Sequence, residues 1–286
     1  MRSAVTRLVQ AGHAVSHASA HDVQVAGCRR IDLHGARPAD FDVLVFVCGP
    51  IIRGHPHTTA LFQTFAAIPR LGVAVSLFPP GHPNCDDPFD RVLPREGRPI
   101  TFEDVALVAP PDPTVAARGD RTFTVGIVLR GPQGEYEPKR CYAERTSAIV
   151  RTAAQLVAGR RGGRVREIEN HLQRSGLPPG AIEAQYAGCD VVLTSRFHGA
   201  MLAIRHGVPF VALDQIEGGA KVERLLQPTG WPHVYRTETA DAELIAAAAE
   251  NALSAPLGRC LAQVRADAAR RAEETLDRMQ ALVPEL

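Results

Sequence analysis

The stretch from Cys189 to Lys221, CDVVLTSRFHGAMLAIRHGVPFVALDQIEGGAK, admits few folds. It opens with Val191-Val192-Leu193-Thr194, a short, β-branched, apolar run of the kind a sheet buries on both faces. Ser195 ends that strand, Arg196-Phe197-His198-Gly199 follow, and Ala200 to Ile204 begins a helix that Gly207 and Pro209 stop. Val208 to Leu213 supplies a second buried strand. A β-loop-α-loop-β unit of this kind belongs in a parallel sheet and sets the class as α/β. Ligands of open α/β sheets sit beyond the carboxyl ends of the strands, where helix N-termini offer N–H groups. Arg196 and His198 are placed there, as a fixed cation and a titratable imidazole that suit an anion and a proton transfer. A helix-capping histidine and a surface ion pair are the plainer account of the same two residues. Lys221 weighs against it, because Lys139 and Lys221 are the sole lysines among 32 Lys and Arg residues.

A chain of 286 residues suits two α/β domains better than one core. With 45% hydrophobic residues and a net charge of +1, neither disorder nor an electropositive field for nucleic acid is expected. No apolar run reaches transmembrane length, and the first fifteen residues are amphipathic instead of signal-like, so a cytoplasmic protein is expected. The six cysteines (28, 48, 85, 141, 189 and 260) form no C-x-x-C pair, which points to reduced thiols without a disulfide or a common zinc spacing. His13, His17 and His21 recur every fourth residue and would form a metal-binding face on a continuous helix. Gly12 and the β-leaning composition argue against that helix, and no metal is expected.

In chain order, Val5 to Ala11 predicts a helix ended by Gly12, and residues 14–19 and 23–25 are strand-like. Phe41 to Cys48 is the clearest strand of the first half, running into Gly49-Pro50. Gly49, Arg53, His55 and His57 follow on its carboxyl side, either as substrate contacts or as a solvated loop. A helix over 58–67, a parallel strand over 73–78 and a rigid proline loop come next. Arg95 and Glu96 read as a domain-packing ion pair. Pro110, Pro111 and Pro113, with Arg118-Gly119-Asp120, form the best linker, so the domain boundary is expected near 112–121. Phe123 to Leu129 is again a strand, and Arg130 at its carboxyl end copies the placement of Arg196, so that the two arginines face one anion. A helix over 144–158 leads to Arg160, Arg161, Arg164 and Arg166, a site for an anionic partner or a solvated basic turn. Helices are predicted over 167–174, 180–187, 222–226, 241–253 and 257–282, with a turn and short strand over 231–235. Thr239 or Asp241 is the expected cap of the fourth of these helices.

The pattern Asp190-x4-Ser195-Arg196-Phe197-His198-Gly199, then Ala203, Gly207-Val208-Pro209 and an apolar strand leading to Lys221, resembles the signature of the polysaccharide pyruvyl transferase family. The likeness extends weakly over residues 40–235. It implies two Rossmann-like domains in a GT-B-like arrangement with a site in the cleft between them. The boundaries would be 1–115 for the acceptor-side domain, 122–255 for the donor-binding domain, and 256–286 for a C-terminal helix packing back on the first. Three departures stand out. The N-terminus lacks the usual first strand, only Gly49 survives of a glycine-rich run, and the second domain is shortened by roughly one β-α unit.

The resemblance implies transfer of the pyruvyl unit of phosphoenolpyruvate to saccharide hydroxyls, usually closing a ketal, with phosphoenolpyruvate as co-substrate and no cofactor. Arg130 and Arg196 would clamp the donor's carboxylate and phosphate. His198, with Arg196 beside it, would carry the proton transfers, and Ser195, Gly199 and Lys221 would complete the donor site. Gly49, Arg53 and His55 would face the acceptor, a saccharide or lipid-linked saccharide. No nucleic-acid partner is implied. A homo-oligomer, and peripheral attachment at the inner membrane face, are both compatible with it. Two rivals stand beside this reading. One is a GT-B glycosyltransferase using a nucleotide sugar, and the other is a non-catalytic binding descendant, which the three departures favour.

Overall fold

The structure is a computed structural model that describes residues 2–18, 25–108, 122–134, 136, 138–171 and 175–286. The expected linker and boundary over 112–121 therefore lie outside the described residues, as do His21 and most of the strand-like segment 23–25. The chain divides into two units. Unit 1 comprises Met1–Ala109 with Ala268–Leu286, and unit 2 comprises Pro110–Asp267.

Unit 1 holds α1 (Arg2–Gln10), β1 (Ser16–His17), β2 (Arg29–Arg30), β3 (Leu44–Val47), α2 (Pro56–Thr64), β4 (Arg70–Ser76) and β5 (Arg91–Glu96). Its main sheet runs β3-β4-β5, parallel throughout, and β1 and β2 form a separate two-stranded parallel pair. Since α1 stops at Gln10, His13 and His17 do not share a helix. His17 is buried, with its Nδ1 3.3 Å from the sulfur of Cys28. The core of the unit joins Ala4 and Leu8 of α1, Leu71, Val73 and Ala74 of β4, and Leu276, Met279 and Leu282 near the C-terminus.

The expected Arg95–Glu96 pair is not what forms. Successive strand residues point to opposite faces, so Arg95 turns inward and Glu96 does not. Arg95 is bonded to Asp104 and to Ser76 Oγ at 2.8 Å, with the Arg95 and Asp104 side chains 2% and 0% exposed. Asp104 also caps its own turn by accepting from the Ala106 N–H at 2.9 Å. The Cys48 thiol lies 3.7 Å from the same carboxylate. Burial, and then the Asp104 charge, push its pKa up to about 11.

Unit 2 holds β6 (Thr124–Val128), α3 (Ala143–Arg160), β7 (Arg164–Glu167), α4 (Pro179–Ala187), β8 (Val191–Thr194), α5 (Phe197–His206), β9 (Phe210–Asp214), α6 (Lys221–Leu226), β10 (Val234–Arg236) and α7 (Ala242–Ala252). A last helix, α8, runs Ala255–Leu282, and its residues from Ala268 count with unit 1. The five strands are all parallel in the order β10-β9-β8-β6-β7. Every residue of β6, β8 and β9 is buried, as a sheet covered on both faces requires. One side of the sheet packs on small and branched side chains of α3 and α7, among them Val150, Ala153, Val157, Ile245 and Ala249.

Two expectations for this unit need correction. Residues 164–167 are strand β7 and 168–171 are not helical, so the helix expected over 167–174 does not begin there, and residues 172–174 of that expectation lie outside the described residues. The alternation of Arg164, Val165, Arg166 and Glu167 leaves a single apolar residue, which hid an edge strand with little to bury. The β-α unit counted as missing is thus present, as β7 followed by α4. Arg160 and Arg161 of the basic turn pair with Glu243 and Glu250 of α7, which gives those arginines partners inside the unit. Asp241, one of the two proposed caps, is the N-cap of α7 and accepts from the Leu244 N–H at 2.8 Å.

Asp104→Ala would strand the Arg95 guanidinium in the core without its counter-ion. A loss of about 3–5 kcal/mol of unfolding free energy is expected, measured by urea denaturation; a loss below about 1 kcal/mol would contradict the burial argument. The Cys48 thiol is more easily ionised in the unfolded chain than in the fold. Stability should therefore fall as pH rises from the ordinary thiol range toward about 11, and Cys48→Ala should flatten that limb.

Candidate functional site

The strand order locates the switch point of unit 2. From β6 the chain moves outward to β7 and then returns to the other side of β6 as β8, so the crossovers diverge at the carboxyl ends of β6 and β8. A crevice at such a point is where open α/β sheets hold their ligands. Arg130 follows β6 and Arg196 follows β8, which places the two predicted anion-binding arginines on either side of it.

Ser195 fastens these two ends together. It is 1% exposed, its N–H donates to the Val128 carbonyl at 3.0 Å, and its hydroxyl accepts from the Arg130 N–H at 2.9 Å. Thr194 adds a second tie, its hydroxyl donating to the Val128 carbonyl at 2.9 Å and accepting from the Arg196 N–H at 3.0 Å. Predicted as a donor contact, Ser195 is engaged in positioning the backbone of Arg130.

The helix α5 begins at Phe197, three residues before the sequence pattern suggested, with Arg196 as its N-cap and no side-chain cap bond. His198 is therefore in the first turn, exposed, with its ring 5.5 Å from that of Phe197. The far end closes at Gly207, whose φ of 62° is left-handed and whose N–H bonds to Ala203 and Ile204 carbonyls. Gly199 has a different reason. A Cβ there would stand 2.2 Å from Thr194 Oγ1 and 3.2 Å from Val128 Cγ1, so glycine lets α5 lie close against β8 and β6.

Arg196 is largely buried, with 14% of its side chain exposed, and its Nη1 lies 3.4 Å from Oε1 of Glu169. Glu169 follows β7, so this contact spans the end of β6. Next to it, Asn170 donates to the Tyr186 hydroxyl at 3.0 Å. Burial raises the pKa of that hydroxyl, against the lowering effects of the Asn170 bond and of the Arg196 charge.

Lys221 is the first residue of α6 and half-buried. The loop before it is held by Asp214, a buried residue that the sequence reading passed over. Its carboxylate accepts N–H groups of Ile216 at 3.0 Å, Ala220 at 2.8 Å and Glu223 at 2.9 Å. Gln215 then ties this loop to the one after β6 by donating to the Gly131 carbonyl at 3.0 Å. An acid at the end of an apolar strand, a few residues before a short helix, was the available signal for Asp214; Glu169 had none, because β7 was not recognised.

Gly49, Arg53 and His55 belong to unit 1. Gly49 has φ 92°, which only glycine adopts freely, and a Cβ there would meet nothing nearer than 3.8 Å. Arg53, His55 and His57 are all exposed, and His55 precedes α2 as its N-cap. The structure thus gathers Arg130, Ser195, Arg196, His198 and Gly199 on one rim of unit 2. A cavity of about 540 Å³ in unit 1, lined among others by Arg91, Leu93, Ile100, Phe102 and Arg278, contains none of the predicted residues.

Residues 103–215 match the family model of polysaccharide pyruvyl transferase. The match takes in β6, β8 and α5, and with them Arg130, Arg196 and His198, and it classes the chain as a transferase. No curated protein matches the chain by sequence. Among solved structures it is similar to the glycosyltransferase SnogD from Streptomyces nogalater, with TM-score 0.53 and 17% identity over 98% of this chain and 94% of that one. MurG of Acinetobacter baumannii aligns with TM-score 0.52 and 12% identity over 98% and 94%. The kitacinnamycin glycotransferase aligns with TM-score 0.51 and 13% identity over 99% and 94%. At such identities the likeness is one of fold, and the fold is α/β and GT-B-like. Among the described residues no helix is long and apolar enough to cross a membrane.

Gly199→Ala should press its methyl into Thr194 Oγ1 and push α5 off the sheet. A cost of about 1–3 kcal/mol is expected for such overpacking. Adding Thr194→Ala should recover part of it in thermal unfolding, and no recovery would mean that the close approach is not what requires glycine.

Proposed function

We propose that unit 2 binds phosphoenolpyruvate at the switch point between β6 and β8, and that the protein transfers its pyruvyl unit to saccharide hydroxyls. The observation that carries this reading is the placement of Arg130 and Arg196 on the two sides of that crevice. His198 stands in the first turn of α5, inside the segment that matches the pyruvyl transferase family. Two guanidinium forks suit a donor with a carboxylate and a phosphate. Lys221, on the same unit, adds positive charge on the phosphate side.

The chemistry asks for a proton on the donor's methylene carbon. In our reading His198 gives it, the C=C electron pair forms the new C–H bond, and positive character develops on the adjacent carbon. A saccharide hydroxyl attacks that carbon, forming a C–O bond and giving its proton to the His198 imidazole, which is neutral after the first transfer. A second hydroxyl then displaces phosphate, closing the ketal as the carbon–oxygen bond to phosphate breaks and the hydroxyl proton leaves on the phosphate. Imidazole suits the proton transfer because it ordinarily titrates at ~6.5. The acceptor would be a saccharide, free or lipid-linked, and Arg53 and His55 of unit 1 are the candidates to meet it. We place the reaction on the cytoplasmic side, with peripheral membrane attachment as a property of the same reading.

The GT-B-like fold favours a second reading, in which the same rim holds the diphosphate of a nucleotide sugar. Calorimetric titration separates the two. Phosphoenolpyruvate should bind the wild type, and Arg196→Ala should weaken it about tenfold to a hundredfold, the worth of a charge-assisted contact. His198→Ala should keep donor binding and lower turnover by about 10²–10⁴. A folded wild type that ignores phosphoenolpyruvate but binds a nucleoside diphosphate would transfer the assignment to the second reading. Donor binding without turnover on any saccharide would mark a non-catalytic descendant.

A further inference from the structure

Unit 1 carries a cavity of about 540 Å³ that the rim of unit 2 does not use. It lies where the edge strand β5, the segment after that strand and the end of α8 meet, all within one unit. Its volume is that of a small-molecule site. The turn after β5 shapes it. Gly97 has φ 85°, and a Cβ there would stand 2.0 Å from the Leu77 carbonyl oxygen, so glycine is what lets the chain reverse at that point. The returning segment is bonded back to the strand, with the Phe102 N–H donating to the Pro94 carbonyl at 2.8 Å. Arg98 locks the turn by donating to the Phe78 and Gly97 carbonyls at 3.2 and 2.9 Å and to Asp87 at 2.6 Å. Between these fixed points Ile100 is left 73% exposed, more than any other large apolar side chain among the described residues.

The wall of the cavity is apolar and its charge is unbalanced. Leu93 and Leu282 are buried, Phe102 is half-buried, and Ile100 carries the apolar surface out to solvent. Of the described residues that line the cavity, three are arginines and one, Glu285, is an acid. Arg98 has Asp87 as its counter-ion. Among the described residues Arg91 bonds to the Asp90 carbonyl at 3.2 Å, and neither Arg91 nor Arg278 makes an ion pair with Glu285 or with any other acid. The acids close to them in sequence are engaged elsewhere. Asp90 accepts from the Arg70 N–H at 2.8 Å, Glu274 pairs with Arg270 at 2.6 Å, and Asp277 pairs with Arg7.

We infer that this cavity binds a phosphate monoester carried on a single hydrocarbon chain. The chain lies along Leu93, Phe102 and Leu282 and takes Ile100 out of water. The phosphate sits with Arg91 and Arg278, whose planar forks match its oxygens. A bare anion would leave the apolar wall wet, and a neutral chain would leave two cations without a counter-ion. A flat lipid surface would cover Ile100 without filling the cavity. Since none of the residues assigned to donor or acceptor lines the cavity, the inference stands apart from the pyruvyl-transfer reading.

The test is calorimetric titration with octyl phosphate, kept below its micelle concentration, on the wild type, Arg278→Gln and Ile100→Ser. Both substitutions fall on exposed side chains, and unchanged thermal unfolding would show that the fold is intact. The wild type should bind at one site. Arg278→Gln should weaken binding about tenfold, the loss of one charge-assisted contact, and Ile100→Ser about threefold to tenfold. Inorganic phosphate and octanol should each bind at least about tenfold more weakly than octyl phosphate. Leu244→Ser, which removes an exposed apolar side chain of unit 2, should leave the affinity unchanged. A folded wild type that does not bind octyl phosphate, or equal affinity in all four proteins, overturns the inference. So does inorganic phosphate binding as tightly as the ester. Retention on anionic phospholipid vesicles without octyl phosphate binding would give the patch to a lipid surface. Self-association in sedimentation that Ile100→Ser abolishes, again without octyl phosphate binding, would give it to a second copy of the chain, and either result overturns the assignment.

Discussion

The site of unit 2 depends on the pairing of β6 with β8 and on how that pairing is finished beyond its last ladder bond. Parallel strands that diverge at a switch point leave backbone donors and acceptors at their carboxyl ends with no neighbour to continue the ladder. Here Ser195 and Thr194 complete it. Their hydroxyls and N–H groups meet the Val128 carbonyl and the Arg130 N–H within 2.9–3.0 Å. Two flexible arginines thereby gain rigid points of origin. The buried hydroxyls fix the backbone from which the two guanidinium side chains start.

The same economy of space explains α5. Its first turn lies near the strand ends only because Gly199 has no side chain to collide with Thr194. The Thr194 hydroxyl that excludes a Cβ there is the one that fixes the Arg196 N–H. A single contact thus couples the closeness of the helix to the direction of the arginine. The motif Ser-Arg-Phe-His-Gly divides into an outer pair, Arg196 and His198, and an inner set that places their backbone.

Much of this was legible in the chain. Buried parallel strands write themselves as uninterrupted apolar runs, and β6, β8 and β9 were read from Val125, Ile127, Val191, Leu193 and Val211 for that reason. Gly207 marked a helix end through a left-handed turn that few other residues accept. Edge strand β7 was illegible because it has little to bury, and Arg164, Arg166 and Glu167 look like a polar turn. With β7 unseen, Glu169 had no place, although the arginine it meets had been singled out. The Arg95–Asp104 pair was missed for another reason, since nine residues of sequence separate partners that the fold brings into contact, while the neighbour Glu96 lies on the opposite face.

Asp214 and Glu169 show why an acid's role cannot be assigned from its type. Asp214 is the final residue of β9 and Glu169 lies two residues past β7 in the same parallel sheet, and each carboxylate accepts from backbone N–H. Asp214 is 1% exposed and receives three such bonds, at 2.8–3.0 Å, so both of its carboxylate oxygens are engaged by the chain itself. Removing it from that cradle would leave three donors without an acceptor, each costing about 1–3 kcal/mol if still buried. Glu169 receives one N–H and lies 3.4 Å from the Arg196 guanidinium, with 42% of its side chain exposed. The first acid is therefore committed to shaping the loop before Lys221, whereas the second is held by one N–H and one guanidinium beside the β6–β8 rim.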